Sequence, residues 1–221
     1  MNTMDTRVKG TLSKKLHRLG RAVLETDELV DPAMVKVKKN RGSFEIPDCR
    51  NCLDRCCVHK KVGEGILLSL RDIATLVDSG LGDYIVGRYT FKKKKGQVIP
   101  EVDKMPRLKS QKNGNCVFYD EEPGLCTQYG LRPTICRRFP YEVDYEMRKS
   151  GEVPIARFIS GLPCPKISTR DYGETVQQLV VDAVEDENIS LEDDQLLPKH
   201  HEALRKMGFG PYLPSPEDCP S

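Results

Sequence analysis

The chain has 221 residues, of which 38% are hydrophobic and 31% are charged, and its formal net charge is +2. This length suits one domain with helical extensions, and the composition is typical of a soluble globular protein. No apolar run approaches the roughly 20 residues that span a bilayer. Because the first residues lack an apolar segment, we expect no secretory signal and a cytoplasmic location.

The first predicted element is an amphipathic helix over residues 8–27. Leucines recur every three or four positions from Leu12 to Leu19, which is the spacing of a helix that buries one face. We expect the helix to end at Pro32, because proline disfavours helical geometry in the residue before it.

A second helix is predicted over residues 69–79. Ser69 and Asp72 have the spacing of a capping box, and Gly80 follows the last apolar position of the repeat. A further short helix is predicted from Tyr84 to Arg88.

Residues 98–119 are predicted to include a small antiparallel hairpin. Asn113-Gly114 is a strong turn signal between two short stretches of apolar and β-branched residues. Such a hairpin would place Cys116 at the edge of a strand.

The remaining elements follow from local signals. The first is a short helix or turn at 125–130, followed by a helical turn that Arg132-Pro133 opens and that carries Cys136. A strand is predicted at 155–159, and an amphipathic helix begins at Ser168. A last helix is predicted at 198–207, opened by Pro198 and ended by Gly208, and the tail at 211–221 is predicted to be irregular.

Charge is unevenly distributed along the chain. Nine lysines and arginines lie within residues 88–112, and seven acids without a base lie within residues 182–195. We interpret the first as a solvated hairpin face, because two aromatics without a recognisable binding module are weak support for nucleic-acid binding. We interpret the second as a solvated helix end, and Asp193-Asp194 as a charge run rather than a catalytic pair.

The most informative feature is a run of four cysteines within nine residues, Cys49, Cys52, Cys56 and Cys57. Thiolates bind soft or borderline metals strongly, and Cys-x2-Cys lets two sulfurs from one turn reach the same ion or cluster. In a reducing compartment clustered cysteines favour metal binding over disulfides. The odd total of nine cysteines points the same way.

Four further cysteines lie beside turn-forming residues, and rigid turns hold metal ligands well. These are Cys116, Cys126, Cys136 and Cys164. Cys219 falls in the predicted tail and is left out, so eight candidate ligands remain, enough for two sets of four. Four thiolates satisfy either a tetrahedral zinc ion or a [4Fe-4S] cluster, and the pairing into sites stays open.

The charged and basic neighbours of the cysteines are less informative. Arg55, Arg137 and Arg138 either offset the negative charge of a thiolate site or are ordinary surface residues. His59 is interpreted as a solvated side chain rather than a ligand, and so is the pair His200-His201.

Taken together, the motifs resemble the YkgJ-type cysteine-cluster family, described as a zinc- or iron-chelating domain and often labelled an iron-sulfur-cluster protein or oxidoreductase. The resemblance covers residues 44–167 and implies a metal-binding role for the eight candidate cysteines. The motifs that carry it are Cys49-x2-Cys52-x3-Cys56-Cys57, Asp72-Ile73, Cys116-Val-Phe, Gly124-Leu-Cys126, Leu131-Arg-Pro133, Cys136-Arg-Arg-Phe-Pro140 and Leu162-Pro-Cys164-Pro.

These observations predict a mainly helical α+β protein with a small antiparallel hairpin and cysteine-rich loops organised around a metal site. The divisions are an N-terminal helix and connector (1–43), a cysteine-cluster metal-binding domain (44–167), C-terminal helices that pack on it (168–210) and an irregular tail (211–221).

Three functions are compatible with this sequence. The first is a protein that holds an iron-sulfur cluster, with an electron-transfer or redox-associated role. The second is a structural zinc module that mediates protein or nucleic-acid interaction. The third, ranked last, is an enzyme similar to flagellin lysine methylase, for which no methyl-donor site is recognisable. Whether the chain is an enzyme stays undecided, a protein partner is open, and nucleic acid is disfavoured.

Overall fold

The computed structural model describes residues 11–23, 36–37, 45–47, 65–94, 97–101, 104–122, 124–139, 141–148, 151–158, 166–168 and 200–214, together with 181, 183–185, 188–189, 192–193 and 196–197. No helix in this part of the chain is long and apolar enough to cross a membrane.

Helix α1 spans Thr11–Val23 and lies inside the predicted range. Leu12 and Leu16 are buried, as the leucine spacing predicts. The carboxylate of Asp78 accepts hydrogen bonds from the backbone of Leu12 (3.3 Å) and from the backbone and hydroxyl of Ser13 (3.0 and 2.6 Å). An acid from another helix therefore caps the start of α1.

Helix α2 spans Leu70–Asp78, and its caps are those that the sequence predicts. The Ser69 hydroxyl accepts from the Asp72 backbone (3.0 Å), and the Ser69 backbone donates to Asp72 Oδ2 (3.0 Å). At the other end Gly80 adopts φ 75°, and its N–H and that of Leu81 donate to carbonyls of the last turn. The helix is thus specified locally at both ends.

The core forms around the buried face of α2. Tyr89 is fully buried, and its hydroxyl donates to the Leu68 carbonyl (2.8 Å). The members of this cluster come from α1, α2, the following strands and the C-terminal segment: Leu12, Leu16, Leu68, Leu70, Ile73, Ala74, Leu76, Ile85, Tyr89, Leu108, Cys116, Phe118, Leu196, Leu197, Leu204, Phe209 and Leu213.

The C-terminal helix is confirmed in part. Helix α4 spans His201–Leu204 and continues as a wider turn over Arg205–Phe209, with Gly208 leaving helical geometry at φ 120° as the predicted end requires. The predicted opening residue Pro198 lies outside the described residues. His201 is partly buried and its ring lies 6.0 Å from that of Phe91, so the expectation of a solvated side chain was wrong.

The chain beyond Gly208 is more ordered than predicted. Gly210–Tyr212 forms a 3-10 turn and Leu213 is buried in the core. The backbone N–H of Tyr89 donates to the Tyr212 carbonyl (2.8 Å), a contact across more than 120 residues that the local proline content conceals. Residues 215–221 lie outside the described part.

The acidic region, residues 182–195, also packs on the core where the structure describes it. Residues 183–185 and the described residues up to 197 are helical, and Ala183, Val184 and Ile189 are buried. These positions agree with the predicted amphipathic helix, but most of its first part, after Ser168, lies outside the described residues.

Most strands are short, except β9 and β10 with eight residues each, and strand pairing is more extensive than predicted. They are β1 (Lys36–Val37), β2 (Glu45–Pro47), β3 (Ile85–Val86), β4 (Phe91–Lys94), β5 (Gln97–Pro100), β6 (Arg107–Leu108), β7 (Tyr119–Asp120), β8 (Leu125–Cys126), β9 (Tyr141–Arg148), β10 (Gly151–Phe158) and β11 (Lys166–Ser168). The pairs are β9 with β10, β2 with β11, β3 with β6, β4 with β5 and β7 with β8, all antiparallel, and β1 with β10, which is parallel.

One helical prediction was wrong, and the short helix or turn predicted at 125–130 is confirmed in part. Ile85–Val86 is strand β3 where a helix was predicted from Tyr84 to Arg88, because the segment pairs with β6 and only Gly82–Tyr84 is helical. Leu125–Cys126 is strand β8, and the helical turn begins later, at Tyr129–Leu131.

The predicted hairpin is reduced to one bridge. The chain reverses at Asn113-Gly114 as predicted, but only Ser110 and Cys116 pair, because both edges of β6 are already paired, one with β3 and the other with Leu67. The longer described hairpins are β4–β5 and β9–β10, and the second contains residues 155–158 of the strand predicted at 155–159.

Candidate metal centre

The structure describes three of the eight candidate ligands, namely Cys116, Cys126 and Cys136. No disulfide joins any two of these three. The remaining candidates lie outside the described residues: Cys49, Cys52, Cys56, Cys57 and Cys164.

Cys116 lies at the end of a tightly bonded loop and is 8% exposed. The Gln111 side-chain amide donates to the carbonyls of Cys116 (3.1 Å) and Tyr119 (2.6 Å), and the Asn115 backbone donates to Asn113 Oδ1 (3.0 Å). Polar side chains thus take the place of a strand ladder in fixing the backbone here.

Cys126 lies on β8, where it pairs with Tyr119 of β7. The backbone N–H of Thr127 donates to the Phe118 carbonyl (2.8 Å), which extends the pairing by one residue. Cys126 is partly buried against the core cluster. Since Tyr119 follows Cys116 by three residues, this hairpin ties both cysteine segments to the same edge of the core.

Cys136 lies in helix α3, Thr134–Arg138, as the Arg132-Pro133 signal predicts. The first turn of α3 is bound to α2 by Asp72, which is 6% exposed. The Thr134 backbone donates to Asp72 Oδ1 (2.9 Å) and the Thr134 hydroxyl to Asp72 Oδ2 (2.8 Å). Sequence reasoning identified Asp72 as part of a local capping box and of the motif Asp72-Ile73, and it missed the contact with Thr134.

The acidic region interacts with the same two helices, so its interpretation as a solvated charge run was wrong. Asp193 Oδ2 accepts from the Leu70 backbone (2.8 Å) at the start of α2. Arg71 binds Glu192 (2.7 Å) and Glu185 (3.6 Å), and Glu185 also lies 4.0 Å from Arg137 of α3. Arg137 therefore pairs with an acid in this structure and is more than an isolated surface charge.

The three described cysteines do not form a complete metal site among themselves. No group of three or more His, Cys, Asp or Glu side chains that would hold a metal ion occurs within the described residues. The donor chemistry nevertheless fits a thiophilic metal, because all three are cysteines that are buried or partly buried. A site that used them would draw further ligands from the cysteines outside the described part.

One strand pair bears on those other cysteines. In the β2–β11 ladder Pro47 pairs with Lys166. Pro47 precedes Cys49 by two residues, and Lys166 follows Cys164 by two residues. The two chain segments that lead to Cys49 and from Cys164 therefore meet at the same end of this ladder.

Comparison with known families gives one match. Residues 48–153, just under half of the chain, match the model of the CxxCxxCC family, described as "Putative zinc- or iron-chelating domain". The segment contains every candidate ligand except Cys164. No curated protein and no solved structure matches the chain. The cysteine-cluster resemblance is thus confirmed for residues 48–153, which are similar to this zinc- or iron-chelating domain.

Proposed function

We propose that this protein binds an iron-sulfur cluster through cysteine thiolates and has an electron-transfer or redox-associated role. The observation that carries the proposal is the group of four cysteines within nine residues, which lies inside the matched zinc- or iron-chelating segment. The proposed ligands are Cys49, Cys52, Cys56, Cys57, Cys116, Cys126, Cys136 and Cys164.

The geometry of the described residues supports this ligand set. The β2–β11 ladder ends at Pro47 and Lys166, each two residues from a proposed ligand. Because each residue advances the chain by at most about 3.6 Å, Cys49 and Cys164 are within reach of one site. In addition, the β7–β8 pair fixes the segment of Cys126, and the Asp72 contact fixes the segment of Cys136.

The residues around the proposed ligands suit a buried anionic group. Four thiolates leave zinc or an oxidised four-iron cluster with a net charge of about −2. Arg137, next to Cys136, lies 4.0 Å from Glu185 and brings a positive charge to the segment that carries this cysteine. When bound, an iron-sulfur cluster supplies one-electron transfer, and the protein supplies its thiolate ligands, positive charge and partial exclusion of water.

The test is metal analysis with an optical spectrum on protein purified without oxygen. We expect iron, acid-labile sulfide and a broad visible absorbance that bleaches with dithionite. Zinc alone in a colourless protein would contradict the cluster and the redox role while keeping the thiolate site. A protein that purifies without either metal and binds neither when supplied would contradict metal binding itself.

Ligand substitutions test the residue assignment. We expect Cys52→Ser and Cys136→Ser each to lower metal content and the melting temperature, because metal binding at such a site is coupled to folding. Cys219→Ser, in the tail, is the matched control and should leave both unchanged. Unaltered metal stoichiometry in both ligand variants would remove those residues from the site.

The second candidate is a structural zinc module that contacts a partner, and exposed apolar side chains near Cys126 favour it. Leu125 is 53% exposed and Tyr129 is 64% exposed, with Arg132 lying over the Tyr129 ring at 3.7 Å. Exposed aromatics beside arginine are frequent in protein interfaces. The metal analysis separates this candidate from the first, since zinc carries no visible absorbance and no redox response.

A further inference from the structure

We propose that Asp72 is a positioning residue for the metal site, because its buried carboxylate holds the first turn of α3 and thereby places Cys136. The inference rests on the proposed function and concerns a residue of α2 that is not itself a proposed ligand.

The contacts of Asp72 leave its carboxylate well satisfied. Oδ1 accepts from the Thr134 backbone at 2.9 Å, and Oδ2 accepts from the Thr134 hydroxyl at 2.8 Å and from the Ser69 backbone at 3.0 Å. A buried carboxylate is tolerated when hydrogen bonds replace its water. Two of these three bonds join α2 to α3 across 62 residues of sequence.

Helix α3 depends on such an external partner. It has five residues, and its N-cap Pro133 makes no side-chain capping bond. A helix this short is not stable by itself, and its first N–H groups need acceptors. Asp72 provides an acceptor for the Thr134 N–H, so a carboxylate from another helix replaces the missing side-chain cap.

A second contact of α3, the ion pair between Arg137 and Glu185, is weaker than the Asp72–Thr134 contact. The Arg137–Glu185 pair is 4.0 Å long, and its side chains are 38% and 47% exposed. Ion pairs exposed to this extent are screened by solvent and contribute little. The buried Asp72–Thr134 contact is therefore a stronger constraint on α3 than this ion pair.

Cys136 follows Thr134 by two residues within the same turn of helix, and its N–H donates to the Pro133 carbonyl at 2.9 Å. A shift of this turn moves the sulfur with it. Metal–ligand distances are held to within about 0.2 Å, so loss of the Asp72 contact should loosen the bond from Cys136 to the metal.

The chain offers a matched control on the same helix. Asp78, at the opposite end of α2, also accepts three hydrogen bonds from the start of another helix, α1. Asp72→Asn and Asp78→Asn make the same chemical change, in which an amide nitrogen replaces an accepting oxygen. At position 134, Thr134→Val removes the hydroxyl and Thr134→Ser restores it.

The experiment measures metal release from the full-length, metal-loaded protein to a chelator, well below the melting temperature. We expect Asp72→Asn and Thr134→Val to release metal about tenfold faster than wild type, a factor typical of a lost hydrogen bond to a charged group. Thr134→Ser should release metal at the wild-type rate. Asp78→Asn should do so as well, although it lowers the melting temperature.

A second readout does not require metal. In the metal-free protein, the rate of Cys136 alkylation by iodoacetamide, resolved by mass spectrometry, should rise in Asp72→Asn relative to Cys126. Equal release rates for Asp72→Asn and Asp78→Asn from a metal-loaded protein would overturn the positioning role alone. A wild-type chain that binds neither zinc nor iron would instead overturn the proposed function and the positioning role together.

Discussion

The core around α2 and the segments that carry the described cysteines are built in different ways. Helix α2 has nine residues, caps at both ends and a fully buried face. The cysteine segments consist of strands of two residues and a helix of five. They are fixed by side chains from elsewhere, such as Gln111 and Asp72. The core is therefore stable by packing, whereas under the proposed function the cysteine segments also need bound metal to complete them.

The largest expected effect of a single change on the core side is that of Ile73→Ala. Ile73 is fully buried in the cluster, so the substitution leaves a cavity and should lower the free energy of unfolding by about 3 kcal/mol. Urea denaturation followed by circular dichroism measures this change.

The matched substitution on the cysteine side is Leu125→Ala. Leu125 is 53% exposed, so we expect a change within about 0.5 kcal/mol. Equal losses in the two variants would show that β8 contributes as much to stability as the buried face of α2, contrary to the contrast drawn between the two regions.

The same contrast explains how far the sequence predicts the structure. Ser69, Asp72 and Gly80 specify α2 through contacts within four residues, so a local pattern is sufficient. The error from Tyr84 to Arg88 has the opposite cause, since β3 exists because β6 pairs with it from more than 20 residues away. Apolar periodicity does not carry that information.

The candidate site also depends on contacts between residues far apart in sequence, which local patterns do not reveal. The cysteine pattern was sufficient to predict the family, which the match at residues 48–153 confirms. It did not reveal that Asp72 binds Thr134 or that Asp193 caps α2. An aspartate that caps a distant helix has the same local sequence as one that caps its own.

A medium effect is expected for Gly87→Ala, which tests backbone constraint on the core side. Gly87 has φ 80°, and a Cβ atom there would lie 2.7 Å from the Met105 carbonyl oxygen and 2.8 Å from that of Lys104. Both the conformation and the backbone contact oppose a side chain, so we expect a loss of about 2 kcal/mol.

The control is Gly130→Ala, between Cys126 and Cys136, where an added Cβ meets nothing within 4 Å. Its stability should change by less than about 0.5 kcal/mol. The two melting curves, recorded by circular dichroism under one set of conditions, measure the difference. A neutral Gly87→Ala would mean that the segment joining β3 to Tyr89 moves easily, contrary to a rigid core.

The smallest effect concerns pH and lies on the core side at His201. Burial, with a smaller contribution from Arg205, holds the pKa of His201 below its ordinary value of 6.5, although Glu202 acts in the opposite direction. The unfolded chain therefore binds this proton at a higher pH than the folded protein does. The contribution of His201 to stability should be fully present above about pH 7 and should be lost as the pH drops through 6.5.

We expect His201→Gln to flatten this slope in urea titrations between pH 5 and pH 7, within the roughly neutral range where histidine titrates. His17→Gln, on the exposed face of α1, is the control and should keep it. The measurement uses chelator-treated protein, because protonation of thiolate ligands would otherwise release metal in acid and destabilise the cysteine side as well. If the stability of the His201→Gln variant still falls between about pH 7 and pH 5, the acid-sensitive group is a different residue. If that fall occurs only in metal-loaded protein, the acid-sensitive groups are the cysteine ligands.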